Sequence, residues 1–455
     1  MKRHNVPTIF AIFGVTGDLA QKKIFPALFD LYKKKLLPEK FQIVGIARRD
    51  LSLDEFKDFV RDTIDGEDGF IDHLKYSQGQ FDDGTTYQKV KDLTEEIDNE
   101  WGQCSNKLFY LSVPPSLYEL ILNNLSSADL SKVCDDMNGW TRVLIEKPFG
   151  KDVDTARKLD ELLGKLFKEE QIYRIDHYLG KQTLQNILAF RFSNTIFEPL
   201  WNRKYIKSID INLFEEKTIE RRGSFYDENG ALRDVGQNHI LQMLTLVAME
   251  MPKSMTCSVI RNEREKILSK ITKRGETIRG QYKGYLNTEG VARDSKTETF
   301  FRTVACIKNS RWKGVPFILT SGKGLSESKV EIIINFKDMT TGSFMPKQHK
   351  DQECNKITIN IQPKEKISIL FWVKVPGFLD KVEPRELSFS FHNEKNEHIN
   401  AYEKVLFDCI SGDQTSFIST KEISSSWKYI MSVMDNMQNK DLINYKVGED
   451  PNNIK

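Results

Sequence analysis

The chain has no C-x-x-C pair. Its six cysteines, Cys104, Cys134, Cys257, Cys306, Cys354 and Cys409, are scattered over 455 residues, which argues against both a zinc site and a disulfide framework, so reduced thiols are expected. Nor is there an excess of either charge. With 67 basic against 65 acidic residues the net charge is +2, so no overall field favours nucleic acid or a membrane surface, and any anion site must be local. Long apolar runs are lacking too: Ile9 to Phe13, preceded by Lys2 and Arg3, is short, has no small-residue cleavage site and leads into a glycine turn. It reads as the first strand of a cytoplasmic protein. No internal repeat is visible. What the chain does have is length and 39% hydrophobic content, enough for a large core and about two to four domains at roughly 150 residues each.

Thr8 to Phe13 is a continuous apolar strand, Gly14 to Gly17 a turn, Ala20 to Lys35 a helix with Ile24, Leu28, Leu31 and Tyr32 on one face, and Phe41 to Ile46 a second buried strand. This is a β-α-β unit. Leu108 to Val113 and Thr141 to Ile145 repeat the pattern of a strand whose C-terminal end carries polar or proline residues, where open parallel sheets bind ligands. From Ile206 the texture changes to period-two alternation, as in Ile209, Ile211 and Leu213 and again in Val330, Ile332, Ile334 and Phe336. Phe300 to Ile307, Val315 to Leu319, Ile357 to Ile361, Ile367 to Val373 and Glu386 to Phe391 add further strands. Helices over Leu232 to Met249 and Ile423 to Met434 pack against them. The expectation is an α/β Rossmann-like dinucleotide-binding domain over 1–175, followed by an α+β domain with a large, mainly antiparallel sheet over 176–455.

Five motifs carry chemistry. Gly14-Val-Thr16-Gly17-Asp18-Leu19-Ala20 lies between the first strand and first helix, where glycines let the backbone approach a pyrophosphate; a tight turn without ligand would use the same residues. The second strand ends in Gly45-Ile-Ala-Arg48-Arg49, with no acid at Ala47 or Arg48 to hold a ribose hydroxyl and a guanidinium suited to a 2′-phosphate. Glu146-Lys147-Pro148-Phe149-Gly150 sets a lysine at the ligand edge, and its proline suits the cis form. Arg174-Ile-Asp176-His177-Tyr178-Leu-Gly180-Lys181 is a turn between a strand, Gln171 to Ile175, and a helix, Gln182 to Phe192; a helix start flanked by His177 and Lys181 suits a phosphate. Finally, Arg233-Asp234-Val-Gly-Gln-Asn-His239 opens a helix whose core stripe is Ile240, Leu244, Val247 and Ala248. His239 falls off that stripe, with Gln242 and Met243, where it can face a cleft.

In this order, these motifs closely resemble the glucose-6-phosphate dehydrogenase family, as do Phe197 to Arg203, Arg279 to Tyr282, Trp312 to Ile318 and Tyr402 to Asp408, so the resemblance covers nearly the whole chain. It implies oxidation of D-glucose 6-phosphate to the 6-phospho-lactone with reduction of NADP, the first step of the pentose phosphate pathway. NAD is the weaker alternative, and no metal is implied. His239 would be the general base and Asp176 its orienting carboxylate; His177, Tyr178 and Lys181 would hold the phosphate. Sugar-binding positions map onto Glu215, Asp234, Lys323 and Gln362, with Lys147 between substrate and coenzyme. Gly14, Thr16, Gly17, Asp18, Leu19, Arg48 and Tyr118 would belong to the coenzyme site. A homodimer through the large sheet, or a dimer of dimers, is implied as well.

The chain departs from the family pattern at Ser328, where a second basic residue is usual and Lys329 is a substitute, and at Asn360, where some members carry an arginine of a second nucleotide site. No such second site is expected. The alternatives are a dehydrogenase of an unphosphorylated sugar or polyol, separated by the phosphate requirement, and a catalytically idle NADP-binding sensor, which lacks turnover.

Overall fold

The structure, a computed structural model, describes residues 6–64, 68–133, 139–220, 222–337, 355–378, 382–390, 399–438 and 440–455. Lys2, Arg3, Cys134, Cys354 and Phe391 lie outside them. The chain packs as two units: Met1–Gly180 with Thr256–Arg261 and Ile399–Ile423, and Lys181–Met255 with Asn262–His398 and Ser424–Lys455. A single cut between 175 and 176 was read from the sequence, whereas by packing the cut follows Gly180 and two distant segments return to the first unit. Buried ion pairs explain the return. The Arg174 guanidinium, buried, donates to Asp160, Glu169 and Thr420, and Arg261 reaches Glu169 and Gln414. A charge taken out of water needs such partners, wherever in the chain they lie.

In the first unit, β1 (Thr8–Phe13), β2 (Phe41–Ala47), β3 (Leu74–Gln78), β4 (Asn106–Leu111), β5 (Thr141–Glu146) and β6 (Ile172–Ile175) form a parallel sheet in the order β6-β5-β4-β1-β2-β3, with the short strand Phe417–Ile418 antiparallel on β6. β1 is buried along its whole length, as expected for a strand covered on both faces. The strand order reverses between β1 and β4, which opens the crevice used by dinucleotide folds. The first helix begins as a π turn, Ala20–Ile24, before Phe25–Lys33 continues as α. Pro26 supplies the reason, since it has no N–H and its ring crowds the carbonyl of the preceding turn.

The second unit carries β7 (Ile206–Glu215), β8 (Ile271–Tyr282), β9 (Phe300–Ile307), β10 (Phe317–Lys323), β11 (Lys329–Phe336), β12 (Lys356–Gln362), β13 (Lys366–Lys374) and β14 (Val382–Ser390) in one sheet, ordered β14-β13-β12-β11-β7-β10-β9-β8 and closed by Leu442–Tyr445. Pairing is antiparallel except for β7 with β10 and Leu442–Tyr445 with β8. Sequence reading missed β8, which is rich in Lys, Arg and Glu and interrupted by a register shift between Arg274 and Ile278. A bulge of that kind erases the period-two pattern. Among the cysteines, Cys257, Cys306 and Cys409 are free but Cys104 is disulfide-bonded, which corrects the expectation of reduced thiols, because distance in sequence does not preclude approach in space.

Candidate active site

In the first unit, Gly14 leaves β1 at φ +79°, and a Cβ there would lie 2.3 Å from the Ser112 carbonyl oxygen beyond β4. Only glycine fits a backbone this close. The Gly14 N–H donates to Ile46 O (2.8 Å) and the Gly17 N–H to Gly14 O (3.0 Å), so the turn sits at the β1/β4 crevice with Thr16 beside it. Asp18 is exposed and pairs with Lys22 at 2.9 Å, while Leu19 starts the π turn. At the end of β2, Arg48 and Arg49 are exposed; Arg49 leans on the Phe59 ring at 5.9 Å. They follow β2 directly, and Asp50, also exposed, comes next. Tyr118 is buried, and its hydroxyl donates to Glu146 O (2.8 Å) and accepts from Glu146 N–H (3.2 Å). It clamps the end of β5.

β5 delivers Lys147, partly exposed, through a cis Lys147–Pro148 bond. Beneath it lies a group the sequence reading passed over. Glu146 is buried, takes the Tyr110 hydroxyl at 2.8 Å, and has its carboxyl pushed up to about 7 by burial, against the hydrogen bond from Tyr110, the Lys147 charge and a hydrogen bond from Tyr402. Tyr402 in turn stacks on the His177 ring, centroids 5.8 Å apart and 18° from parallel. The turn after β6 is built by Asp176, whose Oδ1 accepts from Tyr178 N–H (3.0 Å) and whose carbonyl accepts from Leu179 N–H (2.9 Å). Gly180 closes it, since a Cβ there would meet the Ala401 carbonyl at 2.7 Å. The motif thus brings Asp176, His177 and Tyr178 together on one turn.

In the second unit, Lys181 caps the Gln182–Phe192 helix, whose first turn carries no acid. Five other expected residues lie in this unit, three of them at strand ends. Glu215 and Lys323 end the parallel strands β7 and β10 in register, with Lys323 Nζ 2.5 Å from Glu215 Oε2. Gln362 ends β12 opposite Val330, near the start of β11. Asp234 and His239 lie on a π-helix, Leu232–Ile240, that runs into the α-helix Leu241–Ala248 and packs on β7 and β10. In an α-helix, residues five apart point roughly 140° away from each other. A π-helix hydrogen-bonds residues five apart, so Asp234 and His239 fall on adjacent turns of the same side. His239 is itself buried, and Leu241 to Ala248 beyond it is buried all round, so the stripe inferred from Ile240, Leu244, Val247 and Ala248 is only one part of a fully covered helix.

Two departures acquire a structural role. Ser328 Oγ accepts from Glu216 N–H at 3.0 Å, holding the strand end where a basic side chain was anticipated. Lys329 pairs with the buried Glu331 at 3.0 Å, so it is committed within its own strand.

The chain matches two family models in succession, "Glucose-6-phosphate dehydrogenase, NAD binding domain" over residues 11–186 and "Glucose-6-phosphate dehydrogenase, C-terminal domain" over 188–454. It is 38% identical to a glucose-6-phosphate 1-dehydrogenase of Dictyostelium discoideum, over 95% of this chain and 89% of that protein, and 38% identical to one of Chlamydia pneumoniae, over 94% and 89%. Among solved structures, a glucose-6-phosphate dehydrogenase in complex with its substrate glucose-6-phosphate superposes with TM-score 0.90 at 34% identity, covering 99% of this chain and 96% of that one. The Mycobacterium avium protein of that name gives 0.83 at 33% identity, covering 97% and 95%.

Proposed function

Since the chain belongs to the glucose-6-phosphate dehydrogenase family, we propose the roles by which its residues oxidise D-glucose 6-phosphate to 6-phospho-D-glucono-1,5-lactone with NADP, the first step of the pentose phosphate pathway. NADP, when bound, supplies the hydride acceptor. The close-approach turn at Gly14 and the exposed guanidinium of Arg48 at the end of β2 fit a dinucleotide bearing a 2′-phosphate. Thr16, Gly17 and Lys147 complete the coenzyme edge, and Tyr118 keeps β5 in place.

His239 takes the proton from the anomeric hydroxyl, and Asp176 fixes the tautomer of that imidazole and stabilises its charged form. His177, Tyr178 and Lys181 hold the phosphate. Their binding energy takes no part in bond making; it orients the sugar so that the departing hydride is aligned. Glu215, Asp234, Lys323 and Gln362 read the sugar hydroxyls.

The observation that supports this reading is the π-helix carrying Asp234 and His239, which packs on β7 and β10, the two strands whose last residues pair as Glu215 and Lys323. The test is coenzyme reduction with glucose 6-phosphate, with glucose and a polyol as comparisons: equal use of glucose would point to the unphosphorylated-sugar enzyme, and no turnover to a binding protein. No helix among the described residues is long and apolar enough to cross a membrane, and a cytoplasmic location is our reading. So is a homodimer, because Phe371, Val373 and Leu387 stand exposed on one face of β13 and β14, an apolar patch of the kind that marks an interface.

A further inference from the structure

Tyr226, on the Gly223–Ala231 helix of the second unit, is fully buried, and its hydroxyl has no hydrogen-bond partner. Buried hydroxyls are seldom left so, and an orphan beside a binding site points to a partner that arrives later. The surroundings are unusual as well. Burial and the charges of Asp234, Glu298 and Glu215 hold the phenol well above its ordinary pKa, so it stays protonated and can only donate to those carboxylates. The ammonium of Lys323 lies over its ring, 5.5 Å from the centroid, while pairing with Glu215 at 2.5 Å. A cation placed this way is shared between a ring face and a carboxylate.

Glu298 is already engaged, accepting from Leu232 N–H at 3.0 Å. Glu215 instead depends on Lys323. When substrate draws that ammonium to itself, this half-buried carboxylate, its side chain 38% exposed, would lose the one cation paired with it among the described residues. Resting on the sugar-binding roles given above, we propose that Tyr226 is a positioning residue: its hydroxyl donates to Glu215 as Lys323 turns to the bound sugar, fixing that carboxylate for a sugar hydroxyl.

Tyr226→Phe in the full chain tests this. Removing an unsatisfied hydroxyl should raise the melting temperature of the ligand-free protein, whereas a merely structural tyrosine would lower it. KM for glucose 6-phosphate should rise about 3- to 10-fold, with kcat within about 3-fold and NADP binding unchanged. In a Glu215→Gln background the same substitution should alter KM by less than about 2-fold, because the acceptor it serves has been weakened. A lower ligand-free melting temperature, an unchanged KM, or full additivity with Glu215→Gln each overturns the proposal. If the unmodified protein fails to turn over glucose 6-phosphate, the functional reading is at fault, and the ligand-free melting comparison still tests the orphan hydroxyl.

Discussion

The Glu298 carboxylate occupies the space that a side chain at Gly230 would need: Oε1 lies 2.5 Å from where a Cβ would stand, and Gly230 has φ +70°. The same carboxylate accepts from Leu232 N–H, and the Glu298 carbonyl accepts from Ala231 N–H at 3.0 Å. A pocketed acid thus caps the start of the π-helix that carries Asp234 and His239, where free N–H groups and the helix dipole favour negative charge. Gly230→Ala should strain the backbone and displace the cap, costing about 1–3 kcal/mol. Thermal unfolding should show the loss, and kcat should fall with NADP affinity intact; a variant with normal stability and turnover would remove the cap from the account.

His239→Asn should lower kcat by roughly a hundred- to ten-thousand-fold with much less effect on substrate binding, since it removes proton transfer and nearly keeps side-chain size. Steady-state kinetics and a separate binding measurement check it. Near-normal turnover would mean that another residue is the base.

Glu146 gives a pH signature of stability. Its carboxyl is raised from 4.5 to about 7 in the folded protein, so the native state favours the protonated form. Its contribution to stability is fully present below about 4.5 and is lost as pH rises through about 7. Glu146→Gln, which stays neutral, should therefore gain on the unmodified protein in melting temperature as pH rises across that window. A difference that does not vary with pH, or varies in the opposite sense, would show that the acid is ionised throughout.

Arg48→Ala should weaken NADP much more than NAD, because a guanidinium pairs with a 2′-phosphate and has only a hydroxyl to meet in NAD. The measurement is kcat/KM for both coenzymes in both proteins. Were the ratio unchanged, Arg48 would be stacking on the base and not reading the phosphate.

Much of this architecture is written locally. β1, the helix Gln182–Phe192 and the strand Phe300–Ile307 begin and end where apolar period and turn residues place them. The glycine turn, Lys147 at its strand end and the Asp176 turn are equally legible, since each needs particular residue types at fixed short spacing. β3 and β8 were not, because a short, polar edge strand such as β3 and a polar strand interrupted by a register shift such as β8 carry little periodic signal.

What the sequence by itself determined was the chemistry available: an anion-friendly turn, a lysine at a strand end, a histidine on a helix, and a family pattern running along the chain. Only the tertiary structure decided which of these groups have companions. Tyr402 stacking on His177, the Glu298 cap, Lys323 resting on Tyr226 and the return of Ile399–Ile423 to the first unit all join residues far apart in the chain. Burial is the physical reason. A polar group taken out of water must find its partner wherever the fold brings one, and local sequence carries no record of that search.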